Sequence, residues 1–306
     1  MLTLSPCKGL FFMKFPAFVL SLILIVLCFT SCGKNDFITQ EYTESLKSTH
    51  AFVYRFEDGT VSKSSSDGSE KIFPASTTKL LTALAALDIT APDTLIHPGD
   101  EVYYPQEGSS SAYIRPNHIL TLEMLIEAMM LPSGNDAAYA VSAGCGRILT
   151  GDDDSIDENL KAFVEHMNAY ARTLGCTGSN FTVPDGYAGD EHYSTLDDMI
   201  LISRAACENE LIMKYASMRS DDVVYASGHI NTWHNTNEFI NPDSEFFNEN
   251  VIGMKTGSLS GYYTLISLYD DGEHRFLIGV FGSEKEDERY GDTERIINAE
   301  ISALTD

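Results

Sequence analysis

The pattern of hydrophobic and polar positions predicts strands at both ends of the body of this chain and helices between them. Short, mostly apolar segments bounded by turn residues predict a hairpin, with one strand at 51–56 and a return strand from Thr60. Three more segments of this kind predict strands at 251–255, 262–269 and 275–281. We therefore expect one α+β unit in which strands from both chain ends share an antiparallel sheet.

Apolar residues at helical spacing, together with capping and breaking residues, predict the helices. Ser155 and Glu158 form a capping box, and Pro132 ends the helix that precedes it. The predicted helices are, in chain order, 76–88, 120–131, 136–143, 155–175, one capped by Ser194 and Thr195, and 286–303. Residues 91–116 are predicted to be rich in loops.

The first predicted helix carries a lysine among its apolar positions. Ser76 stands at the start of this helix and Lys79 follows three residues later, so both side chains lie on one face. Serine is a common helix cap, and a cap alone would explain Ser76. A lysine beside Leu80 and Leu81 is harder to explain, but a desolvated amine has a lowered pKa and can activate a serine nucleophile. The pattern therefore predicts that Lys79 activates Ser76, although so short a motif is weak alone.

Two further short motifs carry side chains suited to the same chemistry. A Ser-Gly-Asn sequence at 133–135 lies between two predicted helices, and a Lys-Thr-Gly sequence at 255–257 lies on a predicted strand. A hydroxyl can relay a proton, and lysine with threonine can bind a carboxylate. Each motif is equally typical of a structural role, since Ser, Gly and Asn are turn residues and Lys and Gly blunt edge strands. Neither motif decides the function alone.

In this order, S-x-x-K, S-x-N and K-T-G form the signature of the penicillin-recognising serine enzymes. The chain resembles that family from about Ala51 onward, and within it most resembles the low-molecular-weight D-alanyl-D-alanine carboxypeptidases. The resemblance also rests on Asn-Phe-Thr-Val-Pro-Asp-Gly at 180–186, His-Tyr-Ser-Thr at 192–195 and Asn-Thr-Asn at 235–237. Asp185 stands where histidine is common in this group. The implied fold is α+β of the β-lactamase/transpeptidase type, with helices packed on the sheet and an all-helical region around the active site.

The resemblance implies three catalytic residues. Ser76 would attack a carbonyl and form an acyl-enzyme, Lys79 would act as its base, and Ser133 would pass the proton to the leaving amine. The implied activity is that of a serine-type D-alanyl-D-alanine carboxypeptidase, which acts on peptidoglycan stem peptides and is covalently inhibited by penicillins. No metal or other cofactor is expected.

The resemblance also implies a set of substrate-binding residues. Asn135 would position Lys79 and the substrate, and Lys255 with Thr256 would hold the terminal carboxylate. Gly257 allows the substrate backbone to approach the strand. The backbone N–H groups of Ser76 and Ser258 would form the oxyanion hole.

Three alternative functions remain open from the sequence. A class A β-lactamase would carry a Glu followed four residues later by Asn between the second and third motifs, and no Glu between Asn135 and Lys255 has that neighbour. A peptidoglycan D,D-endopeptidase is hardly distinguishable by sequence. A non-catalytic penicillin-binding sensor is disfavoured because all three motifs are intact.

The N-terminal segment is predicted to be a targeting signal. Lys8 and Lys14 precede an apolar run at 15–29, and small residues then precede Cys32. This resembles a bacterial lipoprotein signal in which Cys32 is lipidated, with simple secretion or an uncleaved anchor as alternatives and Met13 as an alternative start. We expect an extracytoplasmic protein, anchored to the membrane through the lipid or secreted. The predicted organisation is a signal peptide with lipobox at 1–32, a tether at 33–47 and the carboxypeptidase domain at 48–306.

Composition narrows the classes of partner. The net charge of −25 argues against binding nucleic acid or an anionic membrane through a basic surface. Three cysteines lie in the body of the chain, Cys145, Cys176 and Cys207, and three cannot all pair within one molecule. Their spacing is not that of a metal site, so buried thiols are expected.

Overall fold

The structure is a computed structural model that describes residues 45–64, 67–151, 155–187 and 189–305. The helices in these ranges are α1 (Thr78–Ile89), α2 (Leu122–Met130), α3 (Asn135–Thr150), α4 (Ile156–Thr173), α5 (Leu196–Cys207), α6 (Glu210–Ala216) and α7 (Glu286–Thr305). The strands are β1 (His50–Arg55), β2 (Val61–Lys63), β3 (Lys71–Ile72), β4 (Leu95–Ile96), β5 (Leu120–Thr121), β6 (Ser194–Thr195), β7 (Ser220–Val224), β8 (Ile230–His234), β9 (Val251–Leu259), β10 (Tyr262–Asp270) and β11 (Arg275–Ser283).

The two chain ends share one five-stranded antiparallel sheet with the order β2-β1-β11-β10-β9. Strand β1 pairs with β11 from His50 opposite Phe281 to Arg55 opposite Phe276. The prediction that the N-terminal hairpin and the C-terminal strands form a common sheet is therefore confirmed. Strand β9, which carries the Lys-Thr-Gly motif, pairs with β10 at one edge of this sheet.

Both faces of the sheet are buried, because helices cover each of them. On one face, alternate residues of β1 and β11, such as Val53 and Ile278, pack against Tyr290 and Ile296 of α7. On the other face, residues such as Phe52 belong to the larger core that includes α1 to α6. This three-layer arrangement explains why the strands are apolar on both sides rather than strictly alternating.

Helix α1 lies at the centre of the helical region and is buried from Thr78 to Ala86. Its sequence is apolar around most of its circumference, as expected for a helix surrounded by protein on all sides. Side-chain caps open two of the other predicted helices. The Thr121 hydroxyl accepts from the Met124 N–H at the start of α2, and the Ser155 capping box opens α4.

Helix α3 was predicted to end near residue 143 but continues to Thr150. Gly144 and Gly146 are poor helix formers, yet here they allow close packing. A methyl group on Gly146 would lie 2.0 Å from the backbone oxygen of Asn159 in α4. The contact between the two helices therefore outweighs the low helix propensity of glycine.

Other differences from the prediction are smaller. Helix α6 and the β7–β8 hairpin were not predicted. Ser76 does not cap α1, because it lies within a 3-10 turn, Ala75–Thr77, and the residue at the helix cap is Thr77.

The predicted signal peptide, with Cys32, and the tether up to residue 44 lie outside the described residues. Within the part of the chain that is described, no helix is long and apolar enough to span a membrane.

Candidate active site

Ser76 lies in the 3-10 turn Ala75–Thr77 that leads directly into α1. Ala75 has a left-handed backbone with φ of 49°, which turns the chain into the helix. Lys79, in the first turn of α1, is 0% exposed, and its Nζ donates to the Ser76 Oγ at 2.9 Å. The structure thus brings the predicted nucleophile and base into direct contact.

The ammonium group of Lys79 has two further acceptors. Its Nζ donates to Oδ1 of Asn135 at 2.6 Å and to the backbone oxygen of Asp185 at 3.0 Å. Three acceptors match the three N–H bonds of a protonated lysine. Burial lowers the pKa of Lys79 to about 8, while the nearby carboxylates of Asp185 and Asp136 act in the opposite direction. An appreciable neutral fraction at neutral pH is what a proton acceptor for Ser76 requires.

Ser133 is buried in the turn between α2 and α3, with a left-handed φ of 59°. The turn is held by the Gly134 N–H, which donates to the Ala128 oxygen at 2.9 Å. Asn135 begins α3 and directs its carboxamide to Lys79. The second predicted motif therefore lies beside the first.

Strand β9 passes directly beside the nucleophile. A methyl group on Gly257 would lie 2.2 Å from the Thr264 hydroxyl oxygen and 3.1 Å from the Ser76 nitrogen, so the strand approaches the nucleophile this closely because residue 257 has no side chain. Lys255 is buried, and its Nζ donates to the Thr256 oxygen at 3.0 Å. Burial, and then the positive charges of Lys79 and Arg289, lower the pKa of Lys255 well below its ordinary value.

The hydroxyls of Thr256 and Thr236 are 2.5 Å apart, so the Asn-Thr-Asn stretch at 235–237 lines the same strand. Thr236 is fixed from the other side, because its backbone N–H donates to the Leu131 oxygen at 3.1 Å, just ahead of the Ser133 turn. The 235–237 stretch therefore links the second motif to the third.

Arg289 is a site residue that the sequence reasoning missed. It lies in the first turns of α7, is buried, and donates through one guanidinium nitrogen to the Gly257 oxygen at 3.1 Å and to the Ser258 Oγ at 3.2 Å. Its other terminal nitrogen donates to Glu286 at 2.6 Å. Nothing in the neighbouring sequence distinguishes Arg289 from a charged residue on the solvent-facing side of a helix. Its contact with β9 is evident only from the packing of α7 on the sheet.

The stretches 180–186 and 192–195, together the middle segment, hold α1 through side-chain hydrogen bonds. The Thr182 N–H donates to Nδ1 of His192 at 3.0 Å, which places the imidazole proton on Nε2, where it donates to the Thr78 hydroxyl at 3.0 Å. Burial lowers the pKa of His192 to about 4, so the ring is neutral. The Thr82 hydroxyl donates to the Pro184 oxygen at 2.6 Å.

Asp185 is buried beside Lys79, and its Oδ1 accepts from the Tyr187 N–H at 3.1 Å. Burial raises the pKa of Asp185, and the positive charge of Lys79 opposes that shift. The residue that replaces the common histidine thus supplies negative charge near the candidate base.

The arrangement contains the components of acyl transfer through a serine: a hydroxyl in contact with a buried lysine, backbone N–H groups beside it, Lys255 on the neighbouring strand and Arg289 of α7 bonded to that strand. Among the described residues, no group of three or more His, Cys, Asp or Glu side chains is placed to hold a metal ion.

Comparison with known proteins gives the same assignment. A sequence model of the D-alanyl-D-alanine carboxypeptidase family, Peptidase S11, matches residues 38–284. D-alanyl-D-alanine carboxypeptidase DacF of Bacillus subtilis is 26% identical over 245 residues, which is 78% of this chain and 57% of that protein. DacC of Escherichia coli is 26% identical over 243 residues, 74% of this chain and 55% of that protein. The chain thus spans a little over half the length of these two curated relatives.

Solved structures agree on the fold. The crystal structure of the Streptomyces K15 DD-transpeptidase is 25% identical, with a TM-score of 0.72, and the match covers 83% of this chain and 97% of that one. Penicillin-binding protein D2 of Listeria monocytogenes, solved with ampicillin bound, shares the fold at a TM-score of 0.64 and 23% identity, over 83% of this chain and 97% of that one. The transpeptidase-like fold and the resemblance seen in the three motifs are both confirmed. The chain belongs to the D-alanyl-D-alanine carboxypeptidase family.

Proposed function

We propose that this protein is a serine-type D-alanyl-D-alanine carboxypeptidase that removes the terminal D-alanine of peptidoglycan stem peptides and is acylated by penicillins. The observation that carries the proposal is the 2.9 Å contact between Lys79 Nζ and Ser76 Oγ, with Gly257 of β9 directly against the Ser76 backbone. The names of the relatives in three bacterial groups support it.

In the proposed acylation, neutral Lys79 accepts the hydroxyl proton as Ser76 Oγ bonds to the carbonyl carbon of the penultimate D-alanine. The negative charge that develops on the carbonyl oxygen is held by the backbone N–H groups of Ser76 and Ser258. The peptide C–N bond then breaks, and the proton reaches the departing amine through Ser133. Water hydrolyses the resulting ester and regenerates Ser76.

The terminal carboxylate is proposed to bind at Lys255 and Thr256, with Arg289 as an additional cation. Lys255 donates to a carbonyl rather than to a carboxylate, so an arriving anion would supply the countercharge that this buried amine lacks. Arg289 fixes the Gly257 oxygen and the Ser258 hydroxyl, which aligns the strand that receives the substrate. Asn135 would keep Lys79 aimed at Ser76.

Mass spectrometry of the intact protein tests this function. Incubation with benzylpenicillin is expected to add one acyl group, which peptide mapping places on Ser76, and a peptide ending in D-Ala-D-Ala is expected to release D-alanine. The Ser76→Ala variant should do neither. Failure of the wild-type protein to form the adduct and to release D-alanine would refute the proposal.

Transpeptidation is a second candidate, because the Streptomyces K15 structure is described as a DD-transpeptidase while the curated protein of that strain is named a carboxypeptidase. Both reactions share the acyl-enzyme and differ in the acceptor. Adding glycylglycine to the peptide assay separates the two reactions. A product in which the acyl group is joined to the glycylglycine amine indicates transpeptidation. If the only acyl product is the substrate peptide shortened by its terminal D-alanine, the reaction is hydrolysis. Family membership does not favour the class A β-lactamase, the endopeptidase or the non-catalytic sensor.

For localisation, we propose an extracytoplasmic protein made of a signal peptide at 1–32, a tether at 33–47 and the catalytic domain at 48–306, with lipid on Cys32. Support comes from the N-terminal sequence, in which basic residues precede an apolar run that ends shortly before Cys32. The peptidoglycan substrate proposed above is also extracytoplasmic. Labelling of growing cells with a palmitate analogue tests it. The label should be present in the wild type and lost in Cys32→Ala, and an unlabelled wild type would contradict lipidation.

A further inference from the structure

Three non-glycine residues among those described have a left-handed backbone: Ala75, Tyr113 and Ser133, with φ of 49°, 61° and 59°. This conformation is unfavourable for any residue with a Cβ and unusual for a bulky aromatic one. Such strain persists where the surrounding structure enforces it, and it clusters at functional sites. Ala75 precedes the nucleophile and Ser133 belongs to the second motif, so two of the three already lie in the candidate active site.

The strained backbone of Tyr113 is enforced from both sides. The Asp136 carboxylate accepts from the Ala112 N–H at 2.8 Å and from the Ile114 N–H at 2.9 Å, the two residues that flank Tyr113. It also accepts from the Ser111 hydroxyl at 2.6 Å. One buried side chain thus fixes the loop on either side of Tyr113.

The β7–β8 hairpin also holds the loop at Ala112 by hydrogen bonds. Asn231 and Trp233 both donate side-chain N–H groups to the Ala112 oxygen, at 2.9 and 3.2 Å. The loop 110–114 is therefore rigid, although it has no regular secondary structure.

This loop lies beside the second motif, at 133–135, in the candidate active site. The Asn135 N–H donates to the Ser110 oxygen at 2.9 Å, and a methyl group on Gly134 would lie 2.7 Å from the Ala112 Cβ. The side chain of Tyr113 is nevertheless 70% exposed. A rigid loop beside the second motif therefore presents an aromatic ring to solvent at the cost of a strained backbone.

We propose that Tyr113 is a specificity residue whose ring packs against the side chain of the residue that precedes D-Ala-D-Ala in the substrate. The inference rests on the function proposed above. In that function the terminal carboxylate is held by β9, and we place the acyl part of the peptide along the Ser133 turn and the adjoining loop that carries Tyr113. An aromatic face suits a long aliphatic side chain, such as that of a diamino acid.

Two substrates and four variants test this role. The substrates are diacetyl-L-Lys-D-Ala-D-Ala, which carries a long side chain, and acetyl-Gly-D-Ala-D-Ala, which carries none. Tyr113→Gly and Tyr113→Asn remove the ring and tolerate the left-handed backbone, while Tyr113→Phe keeps the ring. Tyr103→Ala removes another exposed tyrosine and serves as the matched control.

Loss of contact with two or three methylene groups on one side should lower kcat/KM for the lysine peptide about tenfold in the Gly and Asn variants, mainly through KM. The glycine peptide should change less than about twofold, and the Phe and Tyr103→Ala variants should match the wild type on both peptides. The rate of penicillin acylation, measured beside each assay, reports an intact Ser76 site.

Equal kcat/KM values for wild type and Tyr113→Gly on both peptides would overturn the inference while leaving the proposed function intact. An equal loss on both peptides would also overturn it, because the residue would then only support the Ser133 turn. A wild-type protein that releases D-alanine from neither peptide would refute the proposed function itself, and the inference with it.

Discussion

Lys79 shows how burial turns an ordinary side chain into a reactive one. The same ammonium group has three acceptors, from Ser76, Asn135 and Asp185, and all three lie on different segments of the chain. Burial favours the neutral amine and the nearby carboxylates favour the charged one, so the balance sets the pKa near 8. In the proposed mechanism, this balance determines the pH range in which Ser76 can be acylated.

We predict that the rate of penicillin acylation rises with pH through about 8, where Lys79 loses its proton, and then levels off. Asp185→Asn removes a negative charge that raises the pKa of Lys79, so the midpoint should move to lower pH. Stopped-flow or quenched measurements of the acylation rate between about pH 6 and 10 give the pH profiles of the wild type and of Asp185→Asn. An unchanged midpoint, or one at higher pH, would contradict the assigned electrostatic role of Asp185.

At the scale of single residues, the sequence predicted the pair Ser76 and Lys79 because their spacing on a helix is local information. It did not predict Arg289, whose importance depends on where α7 packs relative to β9. It also gave no sign of Tyr113, since a left-handed φ at a tyrosine is imposed by hydrogen bonds to Asp136, a residue distant in sequence.

The elements differ in how far local sequence determines them. Helices α2 and α4 begin at side-chain caps, which can be recognised from a few residues, and their starts were predicted to within two residues. The full length of α3 was not predicted, since its glycines have low helix propensity and are retained for a contact with α4. The seven residues of α6 and the short strands β7 and β8 give too weak a periodic signal.

Substituting Gly146 tests the packing of α3 against α4. In Gly146→Ala the new methyl group would lie 2.0 Å from the Asn159 oxygen, so the helices must move apart. We expect a loss of about 2–3 kcal/mol in the free energy of unfolding, as for other overpacked cores. Urea denaturation measures it.

Gly291 is the matched control, because it lies in α7 and the nearest atom to a methyl group there, outside the adjoining helix backbone, would be 3.8 Å away in the Arg295 side chain. Gly291→Ala should be neutral or stabilise the protein by up to about 1 kcal/mol, the helix-propensity difference between the two residues. Equal effects of the two substitutions would show that helix packing is not what requires Gly146.

The contact of the middle segment with α1 should make stability depend on pH. The pKa of His192 is about 4 in the folded protein and 6.5 for the ordinary side chain, so acid protonates the unfolded chain first. Stability should fall as the pH drops from 6.5 toward 4, by up to about 3 kcal/mol from this residue.

Free energies of unfolding at several pH values, for the wild type and for His192→Asn, isolate this contribution. The variant should be less stable at pH 7, by about 2 kcal/mol, because the hydrogen bonds to Thr78 and Thr182 are weakened. Its stability should nevertheless fall less on acidification. Parallel curves for the two proteins would rule out His192 as the source of the effect.

For the molecule as a whole, the sheet built from both chain ends was predictable, since its strands are marked by apolar runs and turn residues. The contacts that hold Lys47 and Ser48, near the start of the described residues, against α7 were not predictable from the sequence. The Asp292 carboxylate of α7 accepts from the N–H groups of Lys47 and Ser48, at 2.8 and 2.6 Å, and from the Ser48 hydroxyl at 2.6 Å. These partners are separated by most of the chain, so no local pattern relates them.

Asp292→Asn should therefore destabilise the protein by about 3 kcal/mol, because an amide replaces a buried acceptor that serves several donors. Asp287→Asn, at an exposed position of the same helix, should change stability by less than about 0.5 kcal/mol. Thermal or urea unfolding of the two variants measures the difference. Similar small effects for both would show that the N-terminal residues contribute little.

The pairing of β1 with β11 also has a consequence for timing. Strand β1 lacks its inner neighbour in the sheet until β11 has docked. Contacts between residues this distant in sequence form slowly. For the same reason we expect the candidate active site to be assembled late, because β9 and Arg289 come after the Ser76 turn by most of the chain length. On the proposed function, penicillin would then label only molecules that have finished folding. The fraction labelled by a short pulse of penicillin at different times of refolding would give the rate of the final folding step.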